Sequence, residues 1–166
     1  MGSDQTQLRT ADRETAAQAG SHLNLRLWLR VLTCMQLIET LIRARLRTEF
    51  DTTLPRFDVL AQLDAARESL TMGELSARLM VTSGSVTGLV DTMQTECLVA
   101  RRVHPTDRRS TLISMTDQGR ALFARMAPAH AGWVDELMAG LEPGEAATLY
   151  RLLGKLKQSA SEAGTS

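Results

Sequence analysis

Residues 99–116 constrain this chain more than any other stretch. Two β-prone runs, Val99-Ala100-Arg101-Arg102-Val103 and Thr111-Leu112-Ile113-Ser114-Met115, flank a turn read as His104-Pro105-Thr106-Asp107-Arg108-Arg109-Ser110. Both runs are short, and a Pro-containing polar cluster separates them, which spells a hairpin. Directly upstream lie two short helical patterns, Met72 to Leu79 and Ser83 to Glu96, separated by Met80-Val81-Thr82. Helix, turn, helix and basic hairpin in that order predict a mainly α chain with a small β-hairpin wing, the layout of a winged helix-turn-helix.

Charge supports a local reading of the hairpin. The chain of 166 residues carries 19 Lys and Arg against 19 Asp and Glu, so no whole-molecule field draws it to a polyanion. Residues 99–110 nonetheless hold Arg101, Arg102, Arg108 and Arg109 against Asp107 alone. A local excess in a chain with none overall points to a local anionic partner, and duplex DNA is the partner that layout suits.

The remaining pattern fills out the organisation. Residues 1–21 are polar and weakly patterned, an expected flexible arm. Residues 22–50 form a long helical pattern with Leu27, Val31, Met35, Ile38, Ile42 and Leu46 repeating at three and four. Such a rod is about 40 Å long, longer than the following lobe can cover, so a second copy of the chain is the simplest cover. Residues 54–116 form the winged lobe. Within it Pro55 opens a helix with stripe Phe57, Leu60 and Leu63, residues 65–69 read as a loop, and Thr71 with Glu74 fits a capping box. Thr82 or Ser83 caps the next helix, whose Val86, Leu89, Val90 and Met93 face inward. Residues 117–160 form two further helices, the first capped by Thr116 and expected to kink or split at Pro128. The second carries Leu149, Leu152, Leu153 and Leu156 on one side, and residues 161–166 read as a frayed tail.

Several classes fall away. There is no Gly-rich phosphate loop, nucleophile elbow or paired metal motif, so neither an enzyme nor a cofactor is expected. His22, His104 and His130 are scattered without metal-ligand spacing. No signal peptide and no bilayer-length apolar run is seen, giving an expected cytoplasmic protein without a membrane partner. Cys34 and Cys97 read as small hydrophobic packing residues, with a thiol-based redox regulator of the same fold as an alternative.

The segment from Leu54 to Leu156 resembles the multiple-antibiotic-resistance regulator (MarR) family of transcription factors. The resemblance rests on Leu70-Thr71-Met72-Gly73-Glu74-Leu75-Ser76, on Val81-Thr82-Ser83-Gly84-Ser85-Val86-Thr87-Gly88-Leu89-Val90-Asp91, and most specifically on Asp107-Arg108-Arg109-Ser110 followed by Met115-Thr116 and Gly119. It implies a homodimer joined through the first and last helices, binding double-stranded DNA at a pseudo-palindrome. A recognition helix laid in the major groove would present Ser83, Ser85, Thr87, Gly88, Asp91 and Thr92. With no Lys or Arg there, hydroxyls, thymine-methyl contacts and helix N-terminal amides must do the reading. Arg109 at the wing tip is expected in the minor groove, with Arg78, Arg101, Arg102 and Arg108 on phosphates. Asp107 either pins the hairpin or orients an arginine such as Arg101.

Relatives of this kind often respond to small anionic aromatics. His22, Arg26, Trp28 and Arg30 form a candidate effector cluster, since Arg26 and Arg30 stand four apart and point to one side. The Arg-Leu-Trp-Leu-Arg run is similar to that of family members controlling aromatic-acid catabolism, which implies a phenolic acid or its coenzyme A thioester as effector. The expected function is a repressor released by such a ligand; a non-DNA-binding dimeric scaffold is the other alternative.

Overall fold

The structure is a computed structural model describing residues 23–107 and 109–164, apart from the Ser83 side chain. His22 and Arg108, both assigned roles above, lie outside the described residues, as do the arm before Leu23 and the last two residues. The chain divides into two compact units, residues 1–53 and 54–166.

In the first unit, α1 runs Leu23–Phe50. Its apolar repeat divides by position: Ile42 and Leu46 near the C-terminal end are buried, while Leu23, Leu25, Leu27, Trp28, Met35, Leu37 and Leu41 are exposed. The helix stops where Asp51 adopts a left-handed backbone, with its N–H bonded to the Arg47 carbonyl at 3.2 Å.

The second unit orders as α2 (Leu54–Ala66), β1 (Leu70–Thr71), α3 (Met72–Leu79), α4 (Ser83–Thr95), β2 (Val99–Val103), β3 (Thr111–Met115), α5 (Asp117–Met138) and α6 (Pro143–Ala163). The expected hairpin is present, with β2 and β3 antiparallel and paired from Val99↔Met115 to Val103↔Thr111. One element was not expected: Leu70 and Thr71 pair with Ile113 and Leu112, so β3 is the centre of a three-stranded sheet. Leu70 is buried on the core side of this short strand, which explains why the residue before the cap is apolar.

Side-chain caps set the helix starts. Thr71 Oγ1 accepts from Glu74 N at 3.2 Å while Glu74 Oε2 accepts from Thr71 N at 2.8 Å, the reciprocal box expected for α3. Thr82, rather than Ser83, caps α4. Thr116 caps α5 by accepting from Gly119 N at 3.0 Å. Pro128 does not split α5, which is continuous through Met138. Pro128 and Ala124, whose carbonyl loses its donor, are both exposed, so water can take the missing bond. At the other end of the chain, α6 extends through Ala163; the frayed tail expected from residue 161 is instead helical to that point.

The core of the winged lobe gathers Phe57, Val59, Leu60, Leu63, Leu75, Val86, Val90, Met93, Val99, Ile113, Met115, Met126 and Trp133. An aromatic seam joins α2 to α5: Phe57 lies 5.6 Å from Phe123 and 4.5 Å from His130, which meets Trp133 edge-on at 6.3 Å. Leu149, Leu152, Leu153 and Leu156 share one face of α6 and are all exposed.

Candidate nucleic-acid interface

The inward face of α4 is fixed by burial of Val86, Val90 and Met93. The opposite face therefore has to meet solvent: Ser85, Thr87, Gly88, Asp91 and Thr92 are all exposed. Local bonds order its hydroxyls. Ser85 Oγ lies 2.9 Å from Thr82 Oγ1, and Thr92 Oγ1 donates to the Gly88 carbonyl at 3.0 Å. Gly88 has nothing within 4 Å of where a Cβ would stand, so a ligand backbone has open access there.

The wing is tied to this helix by a side-chain bridge. Arg101 on β2 forms an ion pair with Asp91 and also donates to the Thr87 carbonyl at 3.4 Å. Its side chain is only 26% exposed, and its Nε is buried without a partner. This revises two expectations. Arg101 is engaged with α4 rather than presented to phosphate, and the Asp91 carboxylate is occupied by Arg101 rather than offered to a base. The physical reason is register: the β2 position paired with Ile113 faces α4, where its guanidinium meets the only carboxylate on that helix. Arg102, next along the strand, is exposed, as are Arg78 on α3 and Arg109 at the tip.

The tip is built by two side chains. Asp107 Oδ1 accepts from Arg109 N at 3.0 Å, so of the two roles considered for Asp107 the geometry favours pinning the hairpin. The His104 ring turns back onto the turn: Nδ1 accepts from Thr106 N at 3.3 Å and from Asp107 N at 3.2 Å. Behind the wing, Glu74 is held below the usual carboxylate range, first by the backbone N–H of Thr71, then by its hydroxyl, with Arg78 and His104 contributing charge.

The junction between α4 and β2 is equally ordered. Arg56 on α2 pairs with Glu96 at 2.6 Å. Thr116 Oγ1 bonds to the Cys97 carbonyl at 2.5 Å and the Leu98 carbonyl at 3.1 Å. Cys97 is exposed in a left-handed conformation, and Cys34 on α1 is exposed too. Neither thiol is therefore the packed small hydrophobe expected. Cys97 closes a helix, and the outward side chain follows from that position.

In the first unit, Arg26, Trp28 and Arg30 are exposed along the first turns of α1. The two arginines stand one turn apart, as their spacing required. A separate cavity of about 330 Å³ opens in the second unit between the end of α2, β3 and Arg120. Among the described residues no cluster of three potential metal ligands occurs, and no helix is long and apolar enough to cross a membrane.

Comparison with known proteins agrees with this geometry. Residues 50–110 match the MarR family. The HTH-type transcriptional repressor YetL of Bacillus subtilis is 31% identical over 102 residues, which are 61% of this chain and 61% of that protein. The chain thus spans about six-tenths of that relative's length. A mutant of MarR from E. coli, solved in complex with operator DNA, superposes with a TM-score of 0.74 at 28% identity, covering 82% of this chain and 99% of that one. AbsC, a MarR family regulator from Streptomyces coelicolor, shares the fold with a TM-score of 0.78 at 19% identity, covering 87% of this chain and 99% of its own. Sequence match, element order and the hairpin after α4 agree, and the winged lobe of this chain is similar to the MarR family.

Proposed function

We propose that the protein is a homodimeric DNA-binding transcriptional regulator whose α4 lies in the major groove and whose wing enters the flanking minor groove. The observation that carries this reading is the Asp91–Arg101 bridge, which locks a helix face of exposed hydroxyls to a hairpin tipped by Arg109. A helix and an arginine-bearing hairpin held in one rigid relation are what a two-groove grip requires. Arg78, Arg102 and Arg108 contact phosphates, and Ser83, Ser85, Thr87, Gly88 and Thr92 face the bases. The E. coli relative's complex with operator DNA supports the assignment.

The test is a gel shift on a duplex enriched from a random library, followed by footprinting. Wild type protects an inverted repeat and loses affinity steeply with salt. Arg109→Ala weakens binding at least tenfold, the scale of about 1.4 kcal/mol, and leaves dimerisation intact. No enriched duplex at low ionic strength overturns the reading in favour of a dimeric scaffold.

Repression relieved by a phenolic acid or its coenzyme A thioester is the regulatory part of the proposal. Arg26 and Arg30 supply the anion clamp, with Trp28 roughly opposite them on α1, and the relative YetL, a transcriptional repressor, supports repression as the direction. The ligand must bind the DNA-incompetent arrangement more tightly for release to occur. It is checked by thermal shift across a panel of aromatic acids and thioesters, with Arg26→Ala expected to blunt the response. The exposure of Cys34 and Cys97 favours a second reading, thiol-based sensing. Peroxide-insensitive DNA binding removes it.

A further inference from the structure

The turn from His104 to Ser110 has to satisfy its backbone N–H groups without a sheet partner. His104 N reaches the Ser110 carbonyl and Ser110 N reaches the Asp107 carbonyl, each at 3.0 Å. Pro105 has no N–H. Arg109 N uses the Asp107 carboxylate at 3.0 Å. Among the described residues of the turn the two amides left, Thr106 and Asp107, both point at His104 Nδ1, at 3.3 and 3.2 Å, and the Thr106 hydroxyl lies 3.2 Å from the same atom. One imidazole lone pair shared among these donors accounts for the uniformly long separations. It also fixes the tautomer: Nδ1 carries no proton, so the proton sits on Nε2.

We infer that His104 is a positioning residue for DNA binding, its neutral ring holding the wing tip in the conformation that presents Arg109. The inference rests on the DNA-binding reading above. Protonation would put an N–H on Nδ1 directly against the Thr106 and Asp107 amides, exchanging attraction for repulsion and releasing the turn. Two carboxylates stand by the turn, Asp107 within it and Glu74 on α3, whose own carboxyl His104 helps to lower. The imidazolium would therefore retain a place beside them while losing its hold on the backbone.

Asn offers a direct discriminator, because its side-chain carbonyl oxygen sits on Cγ where the imidazole has Nδ1, yet it does not titrate. The experiment compares wild type, His104→Asn and His104→Ala at constant ionic strength, from about pH 8 to about pH 5.5. Two readouts are taken: affinity for the library-enriched duplex, and amide hydrogen exchange at Thr106 and Asp107. At the alkaline end His104→Asn matches wild type in both, while His104→Ala loses amide protection and binds about tenfold more weakly. On acidification wild type loses protection and affinity relative to His104→Asn, whose profile stays flatter. Equal behaviour of the Asn and Ala variants, or parallel pH profiles for wild type and His104→Asn, overturns the role. Because exchange is read without DNA, a protein that enriches no duplex yet shows the Asn–Ala split refutes DNA binding and leaves the turn assignment standing.

Discussion

Cys97 follows α4 with a φ of 58°, a region that costs a side-chain-bearing residue roughly 1 kcal/mol relative to glycine. The Schellman bonds force it there: Leu98 N reaches back to Met93 O at 2.9 Å and Cys97 N to Gln94 O at 3.0 Å. Cys97→Gly is therefore expected to stabilise the fold by about 1 kcal/mol in urea denaturation; a loss of stability would show that the thiol packs usefully. Gly119 is the opposite case. A Cβ there would stand 2.1 Å from the Leu98 carbonyl oxygen and 2.9 Å from Met115 Cγ. That carbonyl cannot retreat cheaply, because it accepts from both Thr116 N and Thr116 Oγ1 at 3.1 Å. Gly119→Ala should cost about 2 kcal/mol or more by the same measurement. Gly119 was legible in the sequence as part of a motif, but its reason was not. A close approach between α5 and the start of β2 exists only once both are folded.

Among the elements, the bridge from α4 to β2 and the seam from α2 to α5 each carry a consequence. Asp91 was recognisable on the outward face of α4, yet helical periodicity says nothing about which strand crosses that face. The pairing with Arg101 depends on the β2 register, so the helical pattern alone assigned Asp91 to the groove face. The two roles separate in a double-mutant cycle on DNA binding. A tie predicts that Asp91→Ala and Arg101→Ala weaken all duplexes alike and couple by about 0.5–1 kcal/mol. A base-reading Asp91 predicts altered sequence preference with no coupling. In the α2–α5 seam, His130 stacks on Phe57, and desolvation lowers its pKa from the usual 6.5. The unfolded chain therefore takes up this proton first as pH falls. Stability attributable to His130 is complete above about 6.5 and declines as pH drops from there through the folded-state value. His130→Phe keeps the stacking and should flatten that acid limb in denaturation midpoints measured from about pH 8 to about pH 5. An unchanged limb would assign the loss to other groups.

The whole molecule poses the question that a single copy cannot answer by itself. The apolar repeats of α1 and α6 were plain in the sequence, as were the hairpin, the caps and the order of the helices, because each follows from local periodicity. What covers those repeats was not, since cover is a property of the assembled protein. Leu152 and Leu153 on α6 are 49% and 43% exposed, and on α1 Leu27 and Trp28 are 51% and 55% exposed. Rows of this kind on two separate helices exceed the scattered apolar exposure that surfaces ordinarily carry. A second copy supplying the cover would also set two α4 helices about 34 Å apart, one turn of duplex. Replacing Leu153 and Leu156 together with Asp should then halve the mass seen by light scattering at micromolar concentration, while far-UV circular dichroism stays close to wild type. DNA affinity should fall far more than the charge change explains, because each half-site alone is held weakly. A wild-type protein that scatters as a monomer at that concentration would remove the dimer, and with it the geometric basis for an inverted-repeat operator.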